Sequence, residues 1–195
     1  MRASIQAALR AGSVPAKALS VKIVLIDFHT HTNASDGALA PGELVDRALA
    51  RNIDLLAVTD HDTVAGYHAA VEHYHGKQGS LRLVSGVELS CRWSGATVHV
   101  VGLGVDTEAP GLKAGLARLD QARLDRGRKI DHRLAQKGFE GAFEGALRHA
   151  GSSQLGRPHF AAWMVEAGHV EDQGRAFDRY LGQGKLGDVK AFWPE

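Results

Sequence analysis

Apolar runs alternate with amphipathic segments from Val21 to Leu103, and this alternation predicts the elements of the first half of the chain. Runs rich in β-branched residues predict strands, whereas segments that open at Pro41 or close at Gly76 have the end signals of helices. The predicted order is strand 21–27, helix 41–51, strand 53–59, helix 63–75 and strand 81–87. Because short connections join these elements, they favour a parallel α/β sheet, either open or curled into a barrel.

The run TVHVVGL at 97–103 predicts a fourth strand, which follows the third too soon for a helical crossover. We therefore expect a hairpin with its turn around RWSG. A turn centred between Trp93 and Ser94 would place Glu88 directly opposite His99, with their Cβ atoms roughly 5 Å apart. A carboxylate and an imidazole so placed can share a metal ion, although a slip of one residue would separate them.

Beyond Asp106 the pattern becomes helical, and we expect a helical cluster appended to the α/β part. Helices are predicted at 111–137, at 140–150, from Arg157 with Pro158 in the first turn, and across 171–182. The first twenty residues include basic but no acidic side chains and lack a continuous apolar core. We expect residues 1–20 to form a disordered tail or an over-long start, with an amphipathic targeting segment as the alternative.

The amino-acid composition excludes only a few classes of function. The 195 residues suffice for one domain with a core, and a net charge of +1 gives no overall attraction to nucleic acid or membrane. A single cysteine, Cys91, excludes an internal disulfide and a cysteine-rich zinc site, which favours a reducing cytoplasm. No apolar run approaches membrane-spanning length, and no pattern indicates a protein partner.

Metal-competent side chains follow three successive predicted strands. In strand order they are His29 and His31, then Asp60, His61 and Asp62, then Glu88. Side chains two residues apart on a strand point to one face, so the first two histidines can grip one object. Because the carboxyl ends of parallel strands converge, these nitrogen and carboxylate ligands predict a polynuclear site for Mn²⁺, Zn²⁺ or Fe²⁺.

Other histidines have a simpler interpretation. Taken alone, His29 and His31 could be solvated loop residues, and only the three-strand coincidence argues otherwise. His68, His73 and His75 lie within or at the end of a predicted helix. We expect these three to be surface or helix-capping residues.

Four segments carry a resemblance to a known family: DFHTHTNASDG, LAVTDHDT, SGVELS and VHVVGL. They resemble the successive motifs of the PHP (polymerase and histidinol phosphatase) family. GRPHFAAWMVEAG and AFDRYLGQGK resemble its RNase AM branch, the bacterial nucleoside 3′,5′-bisphosphate phosphatases. The resemblance runs from about Ile26 to the C-terminus. It implies an α/β fold, a distorted (β/α)₇ barrel whose N-terminal part would be 21–105, with a helical insertion at 106–190.

The resemblance also implies how ligands divide among three divalent ions. His29, His31 and Glu88 would hold one ion, Glu88 and His99 a second, and Asp36 and His61 a third. The remaining family ligands lie nearer the C-terminus, in an HP motif and a D-x-H-type motif, and neither is found there. We therefore expect a truncated chain in which 191–195 begins the missing part of the barrel. Incomplete metal loading, an exposed sheet edge and little activity should follow.

By resemblance, the activity would be hydrolysis of the 3′-phosphate of nucleoside 3′,5′-bisphosphates and 5′ to 3′ trimming of short RNA. Clustered divalent ions, with Mn²⁺ preferred, would supply hydroxide and neutralise phosphoryl charge, so His29, His31 and Glu88 are the expected catalytic residues. Asp60 and Asp62 are expected to orient ligands or cap the next helix, with general-acid catalysis as the alternative.

Basic residues are the candidates for binding the substrate. Arg157 and His159 flank Pro158 at a predicted helix N-terminus, a favourable place for a phosphate. Arg123 and Arg126 resemble positions that stay basic in the RNase AM branch, with solvated helix arginines as the alternative. The substrate would be a small nucleotide or short RNA. A histidinol-phosphate-type phosphatase and a non-catalytic metal-binding fragment are the alternative functions.

Overall fold

A computed structural model describes residues 23–77, 79–190 and 193, in which an α/β region precedes a helical region. The elements of the α/β region are β1 (Ile26–Thr30), α1 (Pro41–Ala50), β2 (Leu55–Val58), α2 (Ala65–Tyr74), β3 (Arg82–Trp93) and β4 (Ala96–Leu103). The helical region contains α3 (Pro110–Ala135), α4 (Ala142–Ala150), α5 (Arg157–Glu166) and α6 (Gln173–Ala176), followed by a π-helical turn (Phe177–Leu181). The tail predicted at 1–20 lies outside the described residues, as does most of 191–195.

The four strands form one sheet in the order β1-β2-β3-β4. β1, β2 and β3 are parallel, and β4 is antiparallel to β3. Helices α1 and α2 pack together, and their apolar side chains cover one side of the strands around Val45, Leu56, Val58 and Ala70. The predicted α/β class, with a parallel sheet and an added hairpin, is therefore confirmed.

Two strands end later than expected, and the change places His29 and Glu88 inside strands. β1 begins at Ile26 within the described residues and continues to Thr30, so His29 lies inside the strand and His31 just after it. β3 continues to Trp93 instead of ending near 87, so Glu88 lies inside the strand. The extension has a physical cause, because pairing with β4 supplies hydrogen bonds along the second half of β3.

The predicted hairpin register is wrong by two residues. His99 pairs with Ser90, and Glu88 pairs with Val101, because the turn is centred one residue later than expected. Ser94 and Gly95 have φ values of 48° and 81°, the left-handed pair that a two-residue hairpin turn requires. Since side chains alternate with period two, this even shift leaves Glu88 and His99 on the same face as diagonal neighbours.

The helical region has a core of its own. Buried side chains from α3, α4 and α5 meet around Ile130, Leu134, Phe160 and Met164. The helix expected across 171–182 is instead the single turn of α6 and the π-helical turn. Asp172 caps α6 by accepting a hydrogen bond from the Arg175 backbone N–H.

Both edges of the sheet leave apolar side chains exposed. On β4, Val100 is 50% exposed and Leu103 is 43% exposed, and next to or on β1, Ile23 is 76% and Ile26 is 51% exposed. Within the described part of the chain, β1 and β4 are thus edge strands with exposed apolar side chains, as expected. No helix in the described part of the chain is long and apolar enough to cross a membrane.

Candidate metal centre

The end of β1 and the middle of β3 bring two histidines onto one carboxylate. His29 Nε2 lies 2.8 Å from Glu88 Oε2, and His31 Nε2 lies 2.9 Å from the same oxygen. Because side chains alternate along a strand, residues two positions apart, such as His29 and His31, point to the same face of the sheet. The three side chains that the resemblance assigned to one ion therefore lie close together.

A loop after β1 adds a second carboxylate. Asp36 Oδ1 lies 2.7 Å from His31 Nδ1, and Asp36 Oδ2 lies 3.7 Å from His61 Nε2. The hydrogen bond to Asp36 outweighs burial and raises the pKa of His31, and the same bond lowers the pKa of Asp36. His31 can therefore serve two groups of ligands, one through each ring nitrogen.

Asp60 holds that loop in place. Its buried carboxylate accepts hydrogen bonds from the Thr32 backbone N–H at 2.7 Å, from the Thr32 hydroxyl at 2.7 Å and from the Ser35 hydroxyl at 2.6 Å. Neither Asp60 nor Asp62 caps α2, because Val64 is the N-cap and receives no side-chain bond. The capping alternative is therefore wrong, and Asp60 has the contacts of an orienting residue.

His61 and His99 complete the cluster around Glu88. His61 Nδ1 lies 4.0 Å from Glu88 Oε2, and His99 Nδ1 lies 3.8 Å from Glu88 Oε1. Burial lowers the pKa of His61, so its ring is neutral and able to donate a lone pair near pH 7. Burial raises the pKa of Glu88, but the hydrogen bond from His29 and the nearby imidazoles outweigh it, and the net pKa is lowered.

The donors form three groups of three whose ligand atoms lie within 4.8 Å of one another. The groups are His29–His31–Glu88, His31–Asp36–His61 and His61–Glu88–His99. Two ligand atoms about 2.1 Å from a shared ion lie roughly 3 to 3.5 Å apart, close to the separations seen here. The buried His61 Nδ1 also lacks a hydrogen-bond partner in the described structure. The donor set therefore fits divalent metal ions.

These groups contain all six expected ligands but divide them differently. The first group is the one implied by the resemblance. His61 joins Glu88 and His99 in a second group, and His31 joins Asp36 and His61 in a third. Each group thus has three donors, where the resemblance assigned two to the second and third ions.

One cavity of about 540 Å³ connects these ligands to basic side chains from the helical region. Asp36, His61 and His99 line it from the α/β region. All four expected substrate-binding residues line it from α3 and α5, namely Arg123, Arg126, Arg157 and His159. The arrangement can hold an anion beside the metal-ligand cluster.

Arg126 and Arg157 keep their charge available to an anion. Arg126 Nε donates to the Val189 carbonyl at 2.8 Å, and Arg157 Nη1 donates to the Leu181 carbonyl at 3.0 Å. No ion pair joins either guanidinium to a carboxylate within the described residues. Burial, with the neighbouring arginines, lowers the pKa of Arg126 to about 10, which still leaves it charged near pH 7.

Arg123 and His159 have other local partners. Arg123 donates to the buried carboxylate of Asp62 through Nε at 2.8 Å. His159 Nδ1 accepts the Gly156 backbone N–H at 3.0 Å at the start of α5. Burial lowers the pKa of His159, so its ring is neutral near pH 7 and its proton lies on Nε2. His159 can then donate a hydrogen bond without adding charge.

Sequence reasoning missed several cavity residues. Ser90, Gln154 and Lys190 line the cavity, and Gln154 Oε1 is buried without a partner in the described structure. Ser90 had a signal, since it lies two residues beyond Glu88 on the same face of a strand. Gln154 had none, because its place depends on a backbone hydrogen bond to Ala34 across the two regions.

The histidines expected at the surface do lie there. His68, His73 and His75 are exposed. His73 Nε2 lies 3.1 Å from Asp46 of α1 and 2.6 Å from Lys77. These contacts join α2 to α1 and to Lys77, and they do not involve the metal-ligand cluster.

Comparison of the sequence with known proteins identifies a protein family and two similar enzymes. The family model described as PHP domain matches residues 27–171. The chain is 42% identical over 170 residues to the 5′-3′ exoribonuclease Rnm of Salmonella typhimurium, covering 87% of this chain and 58% of that protein. It is 41% identical over 169 residues to the 3′,5′-nucleoside bisphosphate phosphatase of Chromobacterium violaceum, covering 86% and 59%.

A solved structure shares the fold. It is a protein from Bifidobacterium adolescentis assigned as a metal-dependent phosphoesterase, with a TM-score of 0.77 and 28% sequence identity. The match covers 89% of this chain and 61% of that one. The chain therefore spans less than two thirds of the length of each of these relatives.

Proposed function

The chain belongs to the PHP domain family, and on that premise we propose that it is a metal-dependent phosphoesterase of nucleotides. Its proposed reactions are removal of the 3′-phosphate from nucleoside 3′,5′-bisphosphates and 5′ to 3′ trimming of short RNA. The names of two relatives at 42% and 41% identity support these substrates. A cytoplasmic location, which the single cysteine favours, is part of the proposal.

The observation that carries the proposal is the composition of the cavity. The α/β region provides metal-ligand candidates, which we call the ligand end of the cavity. Helices α3 and α5 provide Arg126 and Arg157, which we call its cationic end, and neither guanidinium forms an ion pair with a carboxylate among the described residues. A nucleoside 3′,5′-bisphosphate has two phosphates separated by a ribose, so it can meet both ends at once. A monophosphate such as histidinol phosphate would leave one end without an anion.

The six clustered ligands would hold Mn²⁺ by preference, or Zn²⁺ or Fe²⁺, and three donor groups would accommodate three ions. When bound, such ions supply Lewis-acid polarisation of a phosphate ester and acidify water towards neutral pKa. Glu88, His31 and His61 would fix the relative positions of the groups, because each of the three belongs to two of them. Asp60 maintains the Asp36 loop through its bonds to Thr32 and Ser35.

The cationic end would bind the phosphate that is not hydrolysed. Arg126 and Arg157 each commit one N–H to a carbonyl, so further guanidinium N–H groups can bind phosphate oxygens. His159 can donate Nε2–H to the same group. Together they would orient the ester bond toward the ligand cluster, which makes the reaction effectively intramolecular.

The test compares phosphate release from adenosine 3′,5′-bisphosphate and from histidinol phosphate by the 195-residue chain in excess Mn²⁺. We expect slow turnover that prefers the bisphosphate. His29→Ala and Glu88→Ala should abolish it by removing ligands, whereas Arg157→Ala should mainly raise KM and leave bound metal unchanged. His68→Ala, an exposed change on α2, is the control.

Three results would contradict the proposal. Preference for histidinol phosphate would favour the alternative phosphatase. Metal binding without release from either compound would favour a non-catalytic fragment. Activity within a few-fold of the unmodified chain in Glu88→Ala would show that the ligand cluster is not the reaction centre.

A further inference from the structure

A buried ion pair joins the helical region to the strand end that carries His61. Asp62 is fully buried and Arg123 is 10% exposed at the side-chain level. Arg123 Nε and Nη2 lie 2.8 and 2.5 Å from the same Asp62 oxygen. Arg123 Nη1 also reaches the Leu155 carbonyl at 3.4 Å, which adds a contact to the loop before α5.

Asp62 is in turn bonded to the strand that carries Glu88. Its Oδ1 accepts the Ser90 backbone N–H at 2.6 Å, and its Oδ2 accepts the Ser90 hydroxyl at 2.8 Å. The Asp62 backbone N–H donates to the Glu88 carbonyl at 2.9 Å. Ser90 is also the residue that pairs with His99. The carboxylate is therefore tied to backbone next to three metal-ligand candidates.

The backbone at Asp62 needs this support. Its φ is 56°, a left-handed conformation that is uncommon for a residue with a side chain. Such conformations persist where surrounding contacts hold them, and the bonds from Ser90 and Arg123 are those contacts. His61 directly precedes this position, so its ring direction depends on the conformation of Asp62.

We propose that Arg123 is a positioning residue for the metal centre, in which it holds Asp62 and thereby His61 and β3 in ligand geometry. This rests on the proposed function, because it assumes that the six-residue cluster binds metal. The role differs from the substrate binding expected from the sequence. The charge of Arg123 is matched by Asp62, while that of Arg126, three residues later on α3, is matched by no carboxylate in an ion pair among the described residues.

The two arginines therefore make a matched pair for an experiment on the whole 195-residue chain. Zn²⁺ affinity is measured by competition with a chromogenic chelator, and binding of inorganic phosphate by calorimetry without metal. Arg123→Gln should weaken Zn²⁺ binding by about tenfold or more, the size seen when groups that orient metal ligands are removed. Its phosphate affinity should stay within about threefold. Arg126→Gln should show the reverse pattern.

Arg123→Lys keeps the charge but loses the two-point contact, and it guards against simple unfolding of the glutamine variant. We expect Zn²⁺ affinity between those of the unmodified chain and Arg123→Gln, with native circular dichroism. A fall in phosphate affinity with unchanged Zn²⁺ affinity in Arg123→Gln would overturn the inference and restore a substrate-binding role. Unchanged values for both ligands would also overturn it.

Failure of the proposed function gives a different result. If the unmodified chain binds no Zn²⁺, the proposed function and this inference both fall. If it binds Zn²⁺ and Arg123 has no influence on that binding, only the positioning role falls.

Discussion

Replacing Arg126 by methionine should stabilise the fold while weakening anion binding. Burial and the neighbouring Arg157 and Arg123 lower the pKa of Arg126 from 12.5 to about 10. At pH 7 the side chain is charged in both states, so a lower folded pKa means that folding is opposed by the charge. At about 1.4 kcal/mol per pKa unit, the penalty is at most ~3.5 kcal/mol.

Two terms reduce the expected gain. Arg126 is only partly buried, so solvent screening diminishes the penalty. Methionine also loses the hydrogen bond to the Val189 carbonyl, which contributes about 1 kcal/mol. Because methionine retains a long apolar side chain, little packing is lost. We expect a net increase of roughly 1 kcal/mol in the free energy of unfolding.

Urea denaturation at pH 7, followed by tryptophan fluorescence, measures this change. The midpoint should rise without a change in m-value, whereas Arg118→Met, an exposed change on the same helix, should have almost no effect. Inorganic phosphate should raise the midpoint of the unmodified chain more than that of Arg126→Met. A less stable Arg126→Met with the control unchanged would refute the reasoning, because Arg126 would then support the fold.

Two further predictions concern pH and packing. Burial lowers the pKa of His159 below 6.5, so the unfolded chain binds more protons as pH falls through 6.5, and stability should decrease from there until the folded pKa is passed. His159→Gln should flatten this dependence in urea denaturation between pH 7 and 5, and an unchanged slope would contradict the assignment. A Cβ at Gly66 would lie 1.9 Å from Asp60 Oδ2, so Gly66→Ala should lower the free energy of unfolding by about 2–4 kcal/mol. Gly115→Ala, an open position on α3, should be neutral or stabilising by up to about 1 kcal/mol, and equal effects of both changes would be inconsistent with the packing argument.

Local sequence signals determined the order of strands and helices and pointed to the candidate metal ligands. The spacing of His29 and His31 decides their common face through the two-residue period of a strand, whatever the rest of the chain does. The position of ligands at or near strand ends follows from the convergence of parallel strands. Ser90, and not Glu88, lies opposite His99. The prediction that Glu88 and His99 share one face of the sheet still holds, because a register shift of two residues leaves every side chain on the same face.

Only the tertiary structure decided which side chains share a partner. Arg123 and Arg126 look alike in the sequence, yet one meets the carboxylate of Asp62 and the other a backbone carbonyl. Asp62 is held by a hydrogen bond from Ser90, 28 residues further along the chain. Gln154, in the helical region, is held by a backbone hydrogen bond to Ala34 of the α/β region. The periodicity of apolar and polar residues indicates on which face of its own helix or strand a residue lies. The partner of a buried charge depends on how separate elements pack, and that information is distributed over the whole chain.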